Sequence, residues 1–148
     1  MEIREVMTAS VVTADPDTAV REIAALMRER NVGSVVLVRG GEPAGIVTDR
    51  DLAVSVLADG RGGDDRAIDH ASAPVVTGTP AMDVTEACEL LVRHRIRRLP
   101  VVDDGRLTGI VTLDDLAART GDAELVARLA SQVTRAALPD FYFHQRGG

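Results

Sequence analysis

The chain has 148 residues, 45% of them hydrophobic, a formal net charge of -6 and one cysteine, Cys88. Such a length buries a core without staples and suits one compact domain or two tight half-units. The acidic balance argues against a general binder of nucleic acid or anionic membrane, and one cysteine excludes an intrachain disulfide and a cysteine-based metal site.

Residues 3–7 read as a short lead-in helix, and the β-branched run 10–13 as a strand. Pro16 and Asp17 punctuate it. Val20, Ile23, Ala24 and Met27 then fall at i, i+3, i+4 and i+7, which predicts an amphipathic helix to about residue 30. Residues 35–38 are a buried strand, Gly40-Gly41 a turn, and 44–48 the returning strand of a hairpin. A helix over 49–57 and a Gly/Asp-rich linker at 59–66 follow. The order then recurs: a strand at 74–77, a helix opened by Asp83 and Glu86 at capping-box spacing with Val84, Ala87, Cys88 and Leu91 on one stripe, a hairpin over 99–112 turning at Asp104-Gly105, and a helix from 114 to about 119. A last helix is expected over 123–138, with Leu125, Val126, Leu129 and Val133 on one side. No apolar run nears the roughly 18 residues of a membrane span, and residues 1–5 have no apolar signal core, so a cytoplasmic location is expected.

The recurrence is an internal repeat. Gly45-Ile46-Val47-Thr48-Asp49-Arg50-Asp51 returns as Gly109-Ile110-Val111-Thr112-Leu113-Asp114-Asp115, an offset of 64 (109 minus 45). At that offset Val11-Val12-Thr13 becomes Val75-Val76-Thr77. Two copies and no array argue for a pair of packed units rather than a solenoid. The fold expected is of the α/β class, an α+β sandwich of two tandem β-α-β-β-α motifs, with 1–63 as the first, 64–120 as the second and 121–148 as a C-terminal helix and aromatic tail.

Those stretches, with Ile96-Arg97-Arg98-Leu99-Pro100-Val101, resemble CBS motifs, named after cystathionine β-synthase. The pair is similar to a Bateman module, and the Thr-Asp-Arg-Asp form resembles stand-alone CBS pairs of the hypoxic-response type. The resemblance implies two motifs packed in pseudo-two-fold symmetry and a regulatory, stress-responsive role. It also implies binding of adenosine-containing ligands (AMP, ADP, ATP, NAD or S-adenosylmethionine) in clefts between the motifs, and homodimers of modules. Similar modules pair the arginines of one motif with the carboxylate of the other. That pattern would join Arg97 and Arg98 to Thr48 and Asp51, and Thr112 and Asp115 to Ser34.

The residues themselves support two readings of each Thr-x-x-Asp. Thr48 and Asp51, like Thr112 and Asp115, face one way on a helical turn. There a threonine hydroxyl and unpaired N–H groups suit a phosphate, and the aspartate can accept from a ribose diol. The same pattern caps its own helix, and the two roles are compatible. Arg97 and Arg98 fit phosphate oxygens, or belong with Arg93, His94 and Arg95 to a solvated cluster. Thr13 and Thr77 complete the candidate set, on strands whose backbone would meet an adenine. Asp49 and Asp114 suit any first helical turn and are weak evidence for a metal. His70, His94 and His144 have no ligand spacing, Gly60-Arg61-Gly62-Gly63 lacks a P-loop ending, and Cys88 lies on a core stripe. No Ser/His/Asp set, metal cage or helix-turn-helix signal is visible, so neither an enzyme nor a nucleic-acid binder is expected. The alternative to a nucleotide sensor is a structural adaptor acting through an unidentified protein partner, with Phe141, Tyr142 and Phe143 as a docking tail for a dimer mate or that partner.

Overall fold

Contacts divide the chain into two units, as seen in a computed structural model. The structure describes residues 1–124, 127–128 and 131–132. Most of the expected last helix, with its four stripe residues, and all three aromatics lie outside the described residues. Unit 2 holds Ala9–Val75 with Val102–Thr108. Unit 1 holds Met1–Thr8, Val76–Val101 and the chain from Gly109.

Unit 2 is built on a three-stranded sheet in the order β1-β2-β3. Strand β1 (Thr13–Ala14) runs parallel to β2 (Ser34–Arg39), with Thr13 opposite Val36 and Ala14 opposite Leu37. The antiparallel hairpin of β2 and β3 (Glu42–Thr48) turns at Gly40 and Gly41, whose φ of 61° and 88° only glycine adopts freely. Helix α1 (Val20–Arg30) buries Val20, Ile23 and Met27, and ends where Asn31 turns left-handed and donates its N–H to the Met27 carbonyl. Ala24, expected on the buried stripe, is exposed. The core joins Ile23, Met27, Val35, Leu37, Val47 and Ala67. After β3 come α2 (Asp49–Asp51) and a π-helix (Leu52–Leu57). The expected helix over 49–57 is thus present but wider in its second half, where the Ala58 N–H reaches the Ala53 carbonyl five residues back at 2.9 Å.

Unit 1 repeats the plan. Helix α3 (Val84–His94) is capped by the Asp83 carboxylate, which accepts from the Thr85 N–H, and it buries Ala87, Cys88 and Leu91. Strands β4 (Arg98–Asp103) and β5 (Arg106–Thr112) form the hairpin, of which Val102–Thr108 at the turn end count with unit 2, and α4 (Leu113–Arg119) follows directly. Its core adds Ile3, Val6, Leu99, Val101, Val111, Leu113 and Leu116. The strand expected at 74–77 does not form. Gly78 alone bridges Val101 in parallel, which is the Ala14–Leu37 pairing shifted by 64 (78 minus 14, 101 minus 37). Glycine lacks the side chain that holds a strand edge, and its missing Cβ would press on Leu99 at 3.0 Å and Ile3 at 3.1 Å.

Packing and sequence copies divide the chain differently. The 3-10 turn Ile3–Glu5 opens the first copy but belongs to unit 1. The 3-10 turn Ala67–His70 opens the second copy but belongs to unit 2. Ile3 and Ala67, also 64 apart, are both fully buried. Each unit therefore completes its core with the other copy's lead-in, which no local pattern announces.

Candidate functional site

In unit 2 the last residue of β3 and the first helical turn form a reciprocal box. The Asp51 N–H donates to Thr48 Oγ1 at 3.2 Å, and the Thr48 N–H donates to Asp51 Oδ2 at 2.8 Å. Asp51 Oδ1 carries no hydrogen bond among the described residues. Ser34 is the cross-strand partner of Thr48, so the box and Ser34 lie side by side. Thr13 is exposed at the start of β1.

In unit 1 the same box forms at Thr112 and Asp115, with bonds of 3.1 and 2.9 Å, but its carboxylate is more heavily used. The Thr112 hydroxyl also donates to Oδ2 at 3.1 Å, and the Thr8 hydroxyl donates to Oδ1 at 3.2 Å. Arg119 lies 3.9 Å away, and the Asp115 side chain is only 12% exposed. Beside the box Arg97 and Arg98 line a cavity of about 270 Å³ with Thr112, Leu113 and Asp114. That is just below the roughly 300–1,000 Å³ of small-molecule pockets. Neither arginine makes an ion pair among the described residues. Two arginines lining one hollow suit an anion with several oxygens.

The structure thus joins Arg97 and Arg98 to Thr112, and Ser34 to Thr48 and Asp51. The arginines and Asp51 belong to different units. Thr77 is exposed. Among the described residues no three His, Cys, Asp or Glu side chains gather in a metal-holding group. Cys88 is buried in the unit 1 core. Burial there pushes its thiol pKa up, away from the reactive thiolate.

One set was missed on sequence. His70, read as isolated, bonds through Nδ1 to Ser55 Oγ at 2.8 Å and through Nε2 to Asp65 Oδ2 at 2.9 Å. A Ser/His/Asp chain therefore exists in unit 2, although the Ser55 hydroxyl is committed to the Asp51 carbonyl at 2.8 Å and the set is not arranged as a free nucleophile. The available signal was the offset. His70 falls on Val6 (70 minus 6 is 64), so it takes the place of a buried valine.

Residues 3–58 and 67–120 match the family model for the CBS domain. CBS domain-containing protein YhcV of Bacillus subtilis is 41% identical over 115 residues, covering 78% of this chain and 82% of that one. Among solved structures, Hypoxic Response Protein I with two coordinated zinc ions is 28% identical with a TM-score of 0.73, covering 79% of this chain and 97% of that one. CBS domain protein PAE2072 from Pyrobaculum aerophilum, complexed with AMP, is 26% identical with a TM-score of 0.76, covering 88% and 99%.

Proposed function

The chain belongs to the CBS-domain family, and on that premise we propose that it is a non-catalytic regulatory protein that binds an adenosine-containing ligand of the AMP, ADP or ATP class. The observation that carries the reading is the hollow of about 270 Å³ lined by Arg97, Arg98 and Thr112, where neither arginine makes an ion pair among the described residues. Guanidinium groups match phosphate oxygens in geometry and charge. The AMP complex of the Pyrobaculum protein supports the adenosine class. In unit 2, Asp51, whose Oδ1 carries no hydrogen bond among the described residues, is the candidate acceptor for a ribose diol. Thr13, Ser34 and Thr48 are further candidate contacts in unit 2, and Thr77 and Asp115 in unit 1. NAD and S-adenosylmethionine remain within the class tested. Regulation requires that the ligand favour one of two states, and a homodimer is the assembly on which it would act.

The test is a thermal-shift series with AMP, ADP, ATP, NAD, S-adenosylmethionine and non-adenine controls on the wild type, Asp51→Ala and Arg98→Ala. A ligand at about 100 times its Kd adds roughly 2.7 kcal/mol, a rise on the order of 5–10 °C for a chain of this size. The expected outcome is an adenine-specific rise, diminished in both variants. The adaptor reading rests on Val54 and Leu57, which are 52% and 77% exposed on the π-helix and offer an apolar contact face. A flat series with every adenosine compound leaves that reading in place.

A further inference from the structure

The offset of 64 sets His70 against Val6 and Ser55 against Arg119 (70 minus 6, 119 minus 55). In unit 1 Val6 is fully buried. Arg119 Nη1 donates to the carbonyls of Val6 and Met7 at 3.2 and 3.1 Å. A guanidinium keeps its charge at any pH a folded protein meets, so α4 is tied to its lead-in by bonds that no proton alters. In unit 2 the same two places hold an imidazole and a hydroxyl. The His70 side chain is only 6% exposed, and it ties the π-helix to its lead-in through Ser55.

The number of hydrogens available decides what this tie can do. The Ser55 hydroxyl has one hydrogen, and an ionised carboxylate has none to give. Three contacts need hydrogens: Ser55 Oγ to the Asp51 carbonyl at 2.8 Å, Ser55 Oγ to His70 Nδ1 at 2.8 Å, and His70 Nε2 to Asp65 Oδ2 at 2.9 Å. All three coexist only when both ring nitrogens are protonated. A neutral ring with its hydrogen on Nε2 keeps Asp65. It then draws the hydroxyl hydrogen to Nδ1, and the Asp51 carbonyl loses the Ser55 hydroxyl bond.

Charged groups lie on the elements that carry the ring and its partners. Asp65 shares its Oδ2 with Arg61 at 3.3 Å. Arg66 pairs with Asp69 at 3.0 Å on the ring's own turn. Arg21 of α1 pairs with Asp64. Asp51 opens the helix that carries Ser55. The bond from His70 is the main reason the Asp65 carboxyl is held below its usual range, with Arg61 adding to it, so Asp65 remains the ionised acceptor.

We infer that Ser55, His70 and Asp65 form a proton-operated latch on the Asp51 turn of unit 2, in the place where unit 1 carries the proton-insensitive Arg119 tie. The latch is closed on Asp51 when the ring carries two hydrogens and open when it carries one. It is distinct from the nucleotide reading and stands without it.

The test is ¹⁵N NMR of the histidine rings in the full chain, from about pH 5.5 to about pH 8.5, the range in which histidines as a class change charge. Amide-exchange protection factors are followed over the same range. Both His70 ring nitrogens are expected to be protonated at the acid end, and only Nε2 at the alkaline end. Protection over Leu52–Leu57 is expected to fall about two- to tenfold along the same titration, as one hydrogen bond is lost, while Leu113–Arg119 stays flat. In Ser55→Ala the ring is expected to titrate with no change in protection. A ring that holds one hydrogen throughout overturns the inference. So does protection that ignores the titration, or a Ser55→Ala chain that still follows it.

Discussion

The two units carry the same Thr-x-x-Asp box at the same offset, yet their carboxylates are used differently. Asp115 receives hydroxyls from both Thr112 and Thr8 and has Arg119 nearby. Asp51 receives a single backbone N–H on one oxygen. The counterpart of Thr8 is Ser72 (72 minus 8 is 64), which exchanges backbone bonds with Ile46 as Thr8 does with Ile110. The hydroxyl of Ser72, however, makes no bond to Asp51. The backbone pattern survived duplication because unpaired peptide groups at a helix start have to be satisfied. The side chains around it were under no such obligation and diverged. One aspartate is a structural tie, and the other has an oxygen with no hydrogen bond among the described residues.

The largest effects lie in the cores. Leu116 is fully buried in unit 1, while its counterpart Leu52 (116 minus 52 is 64) is a partly buried residue packed on the edge of the unit 2 core. Leu116→Ala is expected to cost about 2–5 kcal/mol. Leu52→Ala is expected to cost about 1–2 kcal/mol, in proportion to the smaller area it covers. Urea unfolding of both variants measures the difference, and equal costs would show that the two helices following the boxes are seated alike.

The boxes themselves come next. Removing a capping side chain costs about 0.5–2 kcal/mol. Asp115→Ala should lie at the top of that range or above it, because the part-buried Thr8 hydroxyl is left without its acceptor. Asp51→Ala should lie near the middle. For ligand-induced stabilisation the order reverses, with Asp51→Ala losing more of the thermal shift than Asp115→Ala. If one variant were the worse in both measurements, tie and binding group would coincide, and the division between the units would fail.

Much of this plan was legible because it is local. The stripe of Val20, Ile23 and Met27, the glycine turns and both boxes are set by residues a few positions apart. What was missed depends on partners far along the chain. Val75-Val76-Thr77 has strand composition, but pairing was settled by which residue meets Val101, and that residue is Gly78. The exchange of lead-ins, which sends Ile3–Glu5 to one unit and Ala67–His70 to the other, leaves no trace in periodicity. His70 looked isolated because Ser55 and Asp65 reach it only through the fold. A polar residue aligned with a buried position of the other copy was the one clue in the sequence.

The smallest effect separates two acidic side chains by the kind of partner that lowers their pKa. Asp83 in unit 1 is lowered first by the Thr85 backbone N–H and then by the amino group of Met1, whereas Asp65 in unit 2 is lowered first by the His70 ring and then by Arg61. A carboxyl lowered in the folded chain stabilises it above the unfolded value of about 3.9. That contribution is lost as pH falls through the lower folded value. Acid unfolding should therefore draw on both residues below about pH 4, and only modestly, since both are solvent-screened. Asparagine caps a helix about as well as aspartate, so Asp83→Asn keeps the Thr85 bond and should change Tm little between about pH 3 and pH 6. Asparagine cannot replace a carboxylate facing an imidazole and a guanidinium. Asp65→Asn should therefore lower Tm near pH 6 and flatten the acid limb. A flatter acid limb in Asp83→Asn than in Asp65→Asn would mean that the backbone cap, and not the histidine tie, is the more proton-sensitive of the two.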